Sequence, residues 1–339
     1  MTSSLPGPDR GRTGGRARAQ RPGKTGRADA AGAAGRRPGT SAAAGPAEGV
    51  LAKAAHENFP VAPRFLPRAW RADLMSLYGY ARLVDDIGDG DLAPGGADAV
   101  LLGLDADRAG DRPAMLDAVE ADLRRVFAAA EGGPPPGHPL LRELIPTVRR
   151  AGLRPEPFLA LIEANRLDQR VHRYASLEDL LGYCELSANP VGRLVLAVTG
   201  TSTPERVRHS DAVCTALQLI EHLQDVPEDL AKGRIYLPAD LMARFRVAEE
   251  DLATPTAGAS VRTLIAYLTD QARRLLDEGA PLVGSLTGRL RLLLAGFVGG
   301  GRAAAKAIAD AGYDVLAGPP KPSRAGLLYA AVTTLRRGT

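Results

Sequence analysis

Two acidic clusters stand 140 residues apart, Asp85-Asp86-Ile87-Gly88-Asp89 and Asp225-Val226-Pro227-Glu228-Asp229. Each places carboxylates at i and i+4, which on an α-helix is one face, one turn apart. Like charges at that spacing repel, so the arrangement costs stability unless a cation lies between them. Mg²⁺ suits such a site. It takes oxygen ligands, needs only one or two carboxylates per ion, and completes its shell with water and substrate phosphate. Two such faces opposed across a helical bundle would make a diphosphate clamp. Asp85 and Asp89 fall at the C-terminal end of their helix, where the macrodipole disfavours a carboxylate by about 0.3–1 kcal/mol. That placement calls for a compensating cation; a solvated acidic helix end is the plainer alternative. The second cluster extends backward, so that Glu221, Asp225 and Asp229 read as a carboxylate stripe at i, i+4 and i+8, with Glu228 beside it. Leu217, Leu219, Ile220 and Leu223 make the rest of that helix apolar.

Cations lie close by in sequence. Lys232 and Arg234 follow the second cluster in Lys-Gly-Arg-Ile-Tyr, and Arg82 sits one turn before Asp86. Arg grips phosphate through a bidentate fork, but each of these residues has the simpler option of pairing with a neighbouring acid. Tyr78, Tyr183 and Tyr236 have two readings as well. They are core tyrosines with a satisfied hydroxyl, or groups that hold water or face a cation in an apolar cavity.

Helices must position these groups, and past residue 48 the pattern is helical nearly throughout. Pro67 can open a helix, because its missing N–H would be unpaired there anyway. Leu74, Leu77, Tyr78, Ala81 and Val84 continue that helix as a 3.6-residue stripe, and the Gly/Pro-rich stretch from Gly88 to Gly96 ends it. Further helical patterns cover about 114–131, 138–152, 155–170, 176–200, 203–232, 259–279, 286–313 and 323–336. Pro/Gly clusters at 132–137, 253–258 and 317–322 connect them. Pro227 lacks an N–H and crowds the carbonyl of Leu223, so a kink is expected there. No period-2 strand and no internal repeat is evident. The expected fold is all-α, one catalytic domain over residues 49–337.

The chain has 339 residues, 43 Lys+Arg and 39 Asp+Glu, for a net charge of +4. The basic balance comes from residues 1–48, whose nine basic and three acidic residues give +6 and leave the remainder at −2. That segment is mostly Gly, Ala, Pro, Arg, Ser and Thr and lacks aromatic or β-branched apolar residues. It cannot bury enough apolar surface to offset its ordering entropy, and is read as a disordered tail. No apolar signal core is present, and the longest apolar runs fall short of the about 20 residues that span a bilayer. The expected location is cytoplasmic. The tail is a solvated arm, or one weakly attracted to anionic lipid at the inner face of the membrane by at most ~1 kcal/mol per basic residue. Cys184 and Cys214 show neither metal spacing nor a disulfide pattern and read as buried free thiols.

Several chemistries are excluded. Gly23-Lys24-Thr25 resembles the end of a phosphate-binding loop, but Arg18 stands where Gly is required. There is no Glu-x-x-His for a di-iron bundle, no His-Glu-x-x-His, no paired CxxC and no GxSxG. Gly299-Gly300-Gly301 follows no strand and reads as close helix packing or a break. Nucleic acid is not an expected partner.

These motifs together resemble the squalene/phytoene synthase family over about residues 55–335. The resemblance rests on Glu-Asn-Phe-Pro-Val at 57–61, Tyr-x-x-x-Arg-x-x-Asp-Asp-x-x-Asp at 78–89, and Tyr183-Cys184 with Ser187-Ala188-Asn189-Pro190-Val191-Gly192. It rests also on Gln218, Gln-Asp-Val-Pro-Glu-Asp at 224–229 and Lys-Gly-Arg-Ile-Tyr-Leu-Pro at 232–238. Glu-Asn-Phe-Pro-Val and Ser-Ala-Asn-Pro-Val-Gly are most similar to the hydroxysqualene synthase branch of bacterial hopanoid biosynthesis. The resemblance implies an isoprenoid-synthase-type helical bundle with a central active-site cavity and Mg²⁺-dependent ionisation of a prenyl diphosphate. In that branch presqualene diphosphate ionises, the cyclopropylcarbinyl cation rearranges, and water captures it. By the same resemblance Asp85, Asp89, Asp225 and Asp229 would hold Mg²⁺. Arg82, Lys232 and Arg234 would contact diphosphate, and Tyr78, Tyr183, Ala188, Val191 and Gly192 would shape the cavity.

Two positions depart from the wider family, which often carries Asn in place of Glu221 and Arg in place of Gln224. Glu221 adds negative charge to the metal site. Gln224 replaces a cation with a neutral hydrogen-bonding group, which fits the hydroxysqualene branch better than the presqualene- or phytoene-forming branches. Asn189 and Gln224 are polar groups in apolar surroundings that could hold the capturing water or merely satisfy backbone groups. The alternative reading within the family is head-to-head condensation of two prenyl diphosphates. Outside it, the alternatives are a catalytically silent helical partner of a pathway enzyme, or an RNA- or membrane-binding protein led by the basic tail.

Overall fold

In a computed structural model the described residues are 46–55 and 61–337. The expectation of an unstructured tail therefore lies outside them except at its end, where it needs correction. A short helix, α1 (Pro46–Ala52), starts before residue 49, and its Val50 is buried in the core. Most of Glu-Asn-Phe-Pro-Val also falls outside the described residues.

The long helix of the first acidic motif is α2 (Arg68–Asp89), with Pro67 as its N-cap. Its C-cap is Gly90 at φ 78°, a left-handed conformation that glycine adopts without penalty. There follow α3 (Ala97–Leu101), α4 (Arg112–Ala130), α5 (Pro139–Arg142), α6 (Leu144–Ala151) and α7 (Glu156–Asp168). Next come α8 (Leu177–Ser187), α9 (Asn189–Val198), α10 (Pro204–Gln224), α11 (Val226–Ala231) and α12 (Ala239–Phe245). The chain closes with α13 (Ala259–Gly279), α14 (Pro281–Gly284), α15 (Gly288–Asp310) and α16 (Arg324–Arg337). Among the described residues there is no strand, only one parallel bridge between Arg173 and Ile235. The all-α expectation holds.

Three of the expected helices are each two. The 138–152 pattern breaks at Glu143, 176–200 at Ala188, and 203–232 at Asp225. Each break precedes a proline by two or three residues: Pro146, Pro190 and Pro227. A proline ring has no N–H to donate and clashes with the carbonyl four residues back, so the first helix stops and a new one starts. At Pro227 this exceeds the expected kink. Asp225 ends α10 and caps α11, and the Glu221–Asp225–Asp229 stripe does not lie on one continuous helix.

The apolar faces form two cores. One gathers α2, α4, α6 and the first half of α15 around Tyr80, Leu83, Leu116, Leu144 and Val298. The other gathers α8, α12, α13 and the end of α15 around Leu180, Leu264, Ile265, Leu268 and Ile308. Each fully buried Leu or Ile is worth about 1.5–3 kcal/mol relative to exposure. α7, α10 and α15 feed side chains into both cores and so run along the seam between them. The triple glycine lies within α15 as close packing and not as a break. A Cβ on Gly299 would meet the backbone N of Ala331 in α16 at 2.6 Å. α15 is long and apolar enough to cross a membrane by length and composition, but 56% of its most apolar window is buried inside the protein, as in a core helix.

Candidate active site

The seam brings the end of α2, the end of α7, the α10–α11 break and the segment after α11 together. The last of these is placed by backbone pairing. The Ile235 N–H donates to the His172 carbonyl at 2.9 Å and the Ala239 N–H to that of Tyr174 at 2.9 Å. In an extended segment alternate side chains point to opposite sides. Ile235, Tyr236 and Leu237 all join the second core, and Arg234 and the Tyr236 hydroxyl meet Asp168 at the end of α7.

Arg234 joins the two acidic motifs. Its guanidinium donates to Asp89 Oδ1 at 3.0 Å across 145 residues of sequence, and its backbone N–H donates to the Asp229 carbonyl at 2.8 Å. It is only 13% exposed. Asp168 lies in the same field, half-enclosed by tyrosines: Tyr183 donates to its Oδ2 at 2.8 Å and Tyr236 to its Oδ1 at 3.0 Å. Burial raises the Asp168 pKa, and the two phenol bonds and Arg234 oppose that rise. Burial and the Asp168 charge hold both phenols far above their ordinary pKa, so they stay protonated donors. Tyr183 is aligned by α8, whose start is fixed by a reciprocal cap between Ser176 and Asp179. His222 stacks on Tyr236 with ring centres 3.9 Å apart, and burial lowers its pKa to about 3, so it is neutral. A small cavity of about 10 Å³, room for about one water, lies between His222, Asp229, Arg234 and Tyr236.

Asp85 is accessible to solvent and yet surrounded by protein mass, the situation of a group on a recess wall. That surround raises its pKa to about 6. Asn165 and Arg82 oppose the rise, while Asp89 and Asp86 add to it. Asn165 Nδ2 donates to Asp85 Oδ1 at 3.1 Å, and Gln169 Nε2 donates to the Gly88 carbonyl at 2.9 Å. Gly88 is required by this fit, because a Cβ there would lie 1.9 Å from Asn165 Oδ1. Asp229 is raised to about 7, first by burial and then by Asp225, against Arg234 and Lys232. Asp225 is raised by burial and Glu228, against Lys232 and Lys321. In both motifs burial, more than any neighbouring acid, holds these carboxylates above their ordinary range. Their donors are all carboxylate oxygens, which is the donor set a hard divalent cation takes. Among the described residues no three His, Cys, Asp or Glu side chains converge on a single point as a finished cage would need.

Other expected site residues have plainer partners. Asp86, the middle carboxylate of the first motif, is 2% exposed. It is held by Lys53 at 2.7 Å and by Arg82 at 2.8 Å, so Arg82 pairs with an acid of its own helix. Glu228 pairs with Lys232 at 3.0 Å on the exposed side of α11, while Glu221 is exposed on α10. Asn189 accepts from Thr215 at 3.0 Å, and the Gln224 amide donates to the Pro320 carbonyl at 2.5 Å. Tyr78 is half-buried on α2. Ala188 is the joint between α8 and α9, and Val191 is 44% exposed. Gly192 is a packing position: a Cβ there would meet Ser210 Oγ at 2.4 Å and Cys214 Sγ at 2.6 Å. Sequence reasoning missed Asn165, Asp168 and Gln169. Their signal was a polar face at i, i+3 and i+4 among Leu161, Ile162, Ala164 and Leu167. It missed Lys53 and Lys321 as well, which no local pattern marks.

The sequence profile of the squalene/phytoene synthase family matches residues 52–326. A hydroxysqualene synthase of Rhodopseudomonas palustris is 32% identical over 232 residues, 68% of this chain and 71% of that protein. A 15-cis-phytoene synthase of Synechococcus elongatus is 30% identical over 66% of this chain and 70% of that protein. Among solved structures, the squalene synthase HpnC from Alicyclobacillus acidocaldarius superposes with a TM-score of 0.67 at 42% identity, covering 78% of this chain and 92% of that one. A profile match over most of the chain, relatives above 30% identity and a shared helical architecture agree with the paired acidic motifs on one seam: the chain is an enzyme of the squalene/phytoene synthase family.

Proposed function

We propose that this enzyme converts presqualene diphosphate to hydroxysqualene. The observation that carries the reading is the pairing of two carboxylate motifs across one seam with Arg234 between them. Asp85 and Asp89 on one side, and Asp225 and Asp229 on the other, would hold Mg²⁺, which when bound supplies Lewis acidity to a leaving diphosphate. Glu221 is the further carboxylate within reach of that side by sequence. Arg234 and Lys232 are the cations placed to meet diphosphate oxygens, each already beside a motif carboxylate that a divalent cation would take over. The Tyr183 and Tyr236 hydroxyls, held by Asp168, stay protonated and line the same region as donors. Asn165 fixes Asp85. The branch assignment is supported by the hydroxysqualene synthase relatives and by neutral Gln224 where much of the family has Arg.

A second reading, head-to-head condensation of two prenyl diphosphates, is favoured by the 42% identity to a structure described as a squalene synthase. The experiment that separates them is incubation with presqualene diphosphate and, separately, with farnesyl diphosphate, each with and without Mg²⁺, followed by product identification. The proposal expects an alcohol from presqualene diphosphate only, and only with the metal. Turnover of farnesyl diphosphate alone would replace it with the second reading.

A further inference from the structure

α15 and α16 form an antiparallel pair on the surface, and their outer side departs from the rest of the molecule in two ways. Of the large apolar side chains that stand exposed among the described residues, four lie here: Leu292 at 49%, Leu328 at 68%, Tyr329 at 75% and Val332 at 38%. Leu328, Tyr329 and Val332 occupy one face of α16 at i, i+1 and i+4, opposite the side of buried Thr334. Arg336 follows Val332 at i+4. It lines an open groove of about 650 Å³ together with Leu335, Leu292, Arg289 and Arg291. The apolar strip on α16 thus runs through this groove onto α15.

The second feature is charge. There is no Asp or Glu from Gly288 to Ala309, and none from Val315 to Thr339. Arg289, Arg324 and Arg336 are exposed around the strip. An apolar face flanked by arginines, to which its own two helices add no acid along that length, is what an interfacial helix presents to a bilayer: aliphatic and aromatic groups enter the acyl boundary while arginines meet anionic headgroups. A protein partner would be matched as well by a mixed-charge rim, and a second copy would bring its own cations against these. We propose that the outer face of α16, with the start of α15, docks this enzyme on an anionic lipid bilayer. The connector before α16 also touches the site, through the Gln224–Pro320 bond and through Lys321 beside Asp225. Docking would therefore set the active site close to the membrane. Only the purpose of that placement, access to a lipid-soluble substrate, rests on the proposed function.

The test is co-sedimentation of the full chain, without substrate, on phosphatidylcholine vesicles and on phosphatidylcholine vesicles containing phosphatidylglycerol. Leu328→Ser/Tyr329→Ser/Val332→Ser should weaken binding to the anionic vesicles by roughly tenfold or more, because three apolar side chains no longer enter the boundary. Arg289→Gln/Arg324→Gln should reduce the preference for the anionic vesicles and the sensitivity of binding to salt. All changes are on exposed side chains outside the site, so turnover in detergent and the melting midpoint should stay at wild-type values. Wild-type vesicle binding by the triple variant, with the basic N-terminal segment still present, would overturn the proposal and assign any lipid affinity to that segment. A wild-type dimer that becomes monomeric in the triple variant, with vesicle binding unchanged, would overturn it in favour of a self-association face. No turnover measurement enters this readout, so its failure is distinct from failure of the hydroxysqualene reading.

Discussion

The carboxylates of the two motifs are individually poised against their own stability. Asp85 is raised to about 6 and Asp229 to about 7 from an ordinary 3.8. A raised folded-state pKa means that the native protein binds more protons than the unfolded chain in this range. The stability these groups contribute is full below pH about 4 and is lost as pH rises through about 6 and 7. The cation-free protein should accordingly melt at progressively lower temperature from pH 4 to pH 8, and Asp229→Asn should flatten that slope, as read by thermal scans across pH. At neutral pH Asp85→Asn and Asp225→Asn should each abolish turnover and yet hold or raise the metal-free melting point. The relieved i,i+4 repulsion alone is worth a few tenths of a kcal/mol; full activity in either variant would sink the clamp assignment. Asp168 behaves differently, because both its oxygens are engaged by phenols. Asn can accept from one tyrosine only and turns a donor toward the other, so Asp168→Asn should cost about 1–3 kcal/mol in denaturant unfolding. It should also lower kcat, with Tyr183 no longer fixed.

At the scale of elements, the decisive feature is the proline-enforced break between α10 and α11. The break makes Asp225 the C-cap of α10 and the N-cap of α11 at once. It also places Glu228 and Asp229 in the first turn of α11, where the dipole favours carboxylates by about 0.3–1 kcal/mol each. The helix start thus offsets part of the burial that raises Asp225 and Asp229, whereas the first motif, at the end of α2, relies on Arg82, Lys53, Asn165 and Arg234. Gln224, just before the break, holds the connector to α16 through Pro320. Gln224→Leu removes that donor, so the connector should exchange its amide hydrogens faster. If the same side chain positions the capturing water, diphosphate release should persist while products shift from the alcohol toward hydrocarbons, read by chromatography beside a diphosphate assay. Much of this was legible in the chain. The 3.6-residue stripes give the long helices, and the i,i+4 acids followed by Lys-Gly-Arg-Ile-Tyr give the two motifs and Arg234. The breaks at Glu143 and Ala188 were hidden because apolar periodicity runs through them, though Pro146 and Pro190 announced them. Asp168 and Asn165 were hidden for another reason. Their importance comes from partners 15 to 80 residues away, and nothing in their own helix specifies those partners.

On the scale of the whole molecule, two cores are joined along α7, α10 and α15, and the two acidic motifs meet at the join. Arg234 illustrates what that implies beyond the resting structure. Its bond to Asp89 closes a loop of 145 residues, Asn165 to Asp85 closes one of 80, and Gln224 to Pro320 one of 96. The helices themselves need only local contacts, which form quickly, while closing long loops pays chain entropy before any reward is returned. Chains of this length commonly fold through intermediates with native-like helices and incomplete tertiary packing. The active site should therefore be among the last features to assemble. After dilution from denaturant, far-UV ellipticity should recover first and catalytic competence in a later, slower phase. The helical species between them would be full of secondary structure and without activity, and coincident recovery of both signals would show that the join forms together with its helices.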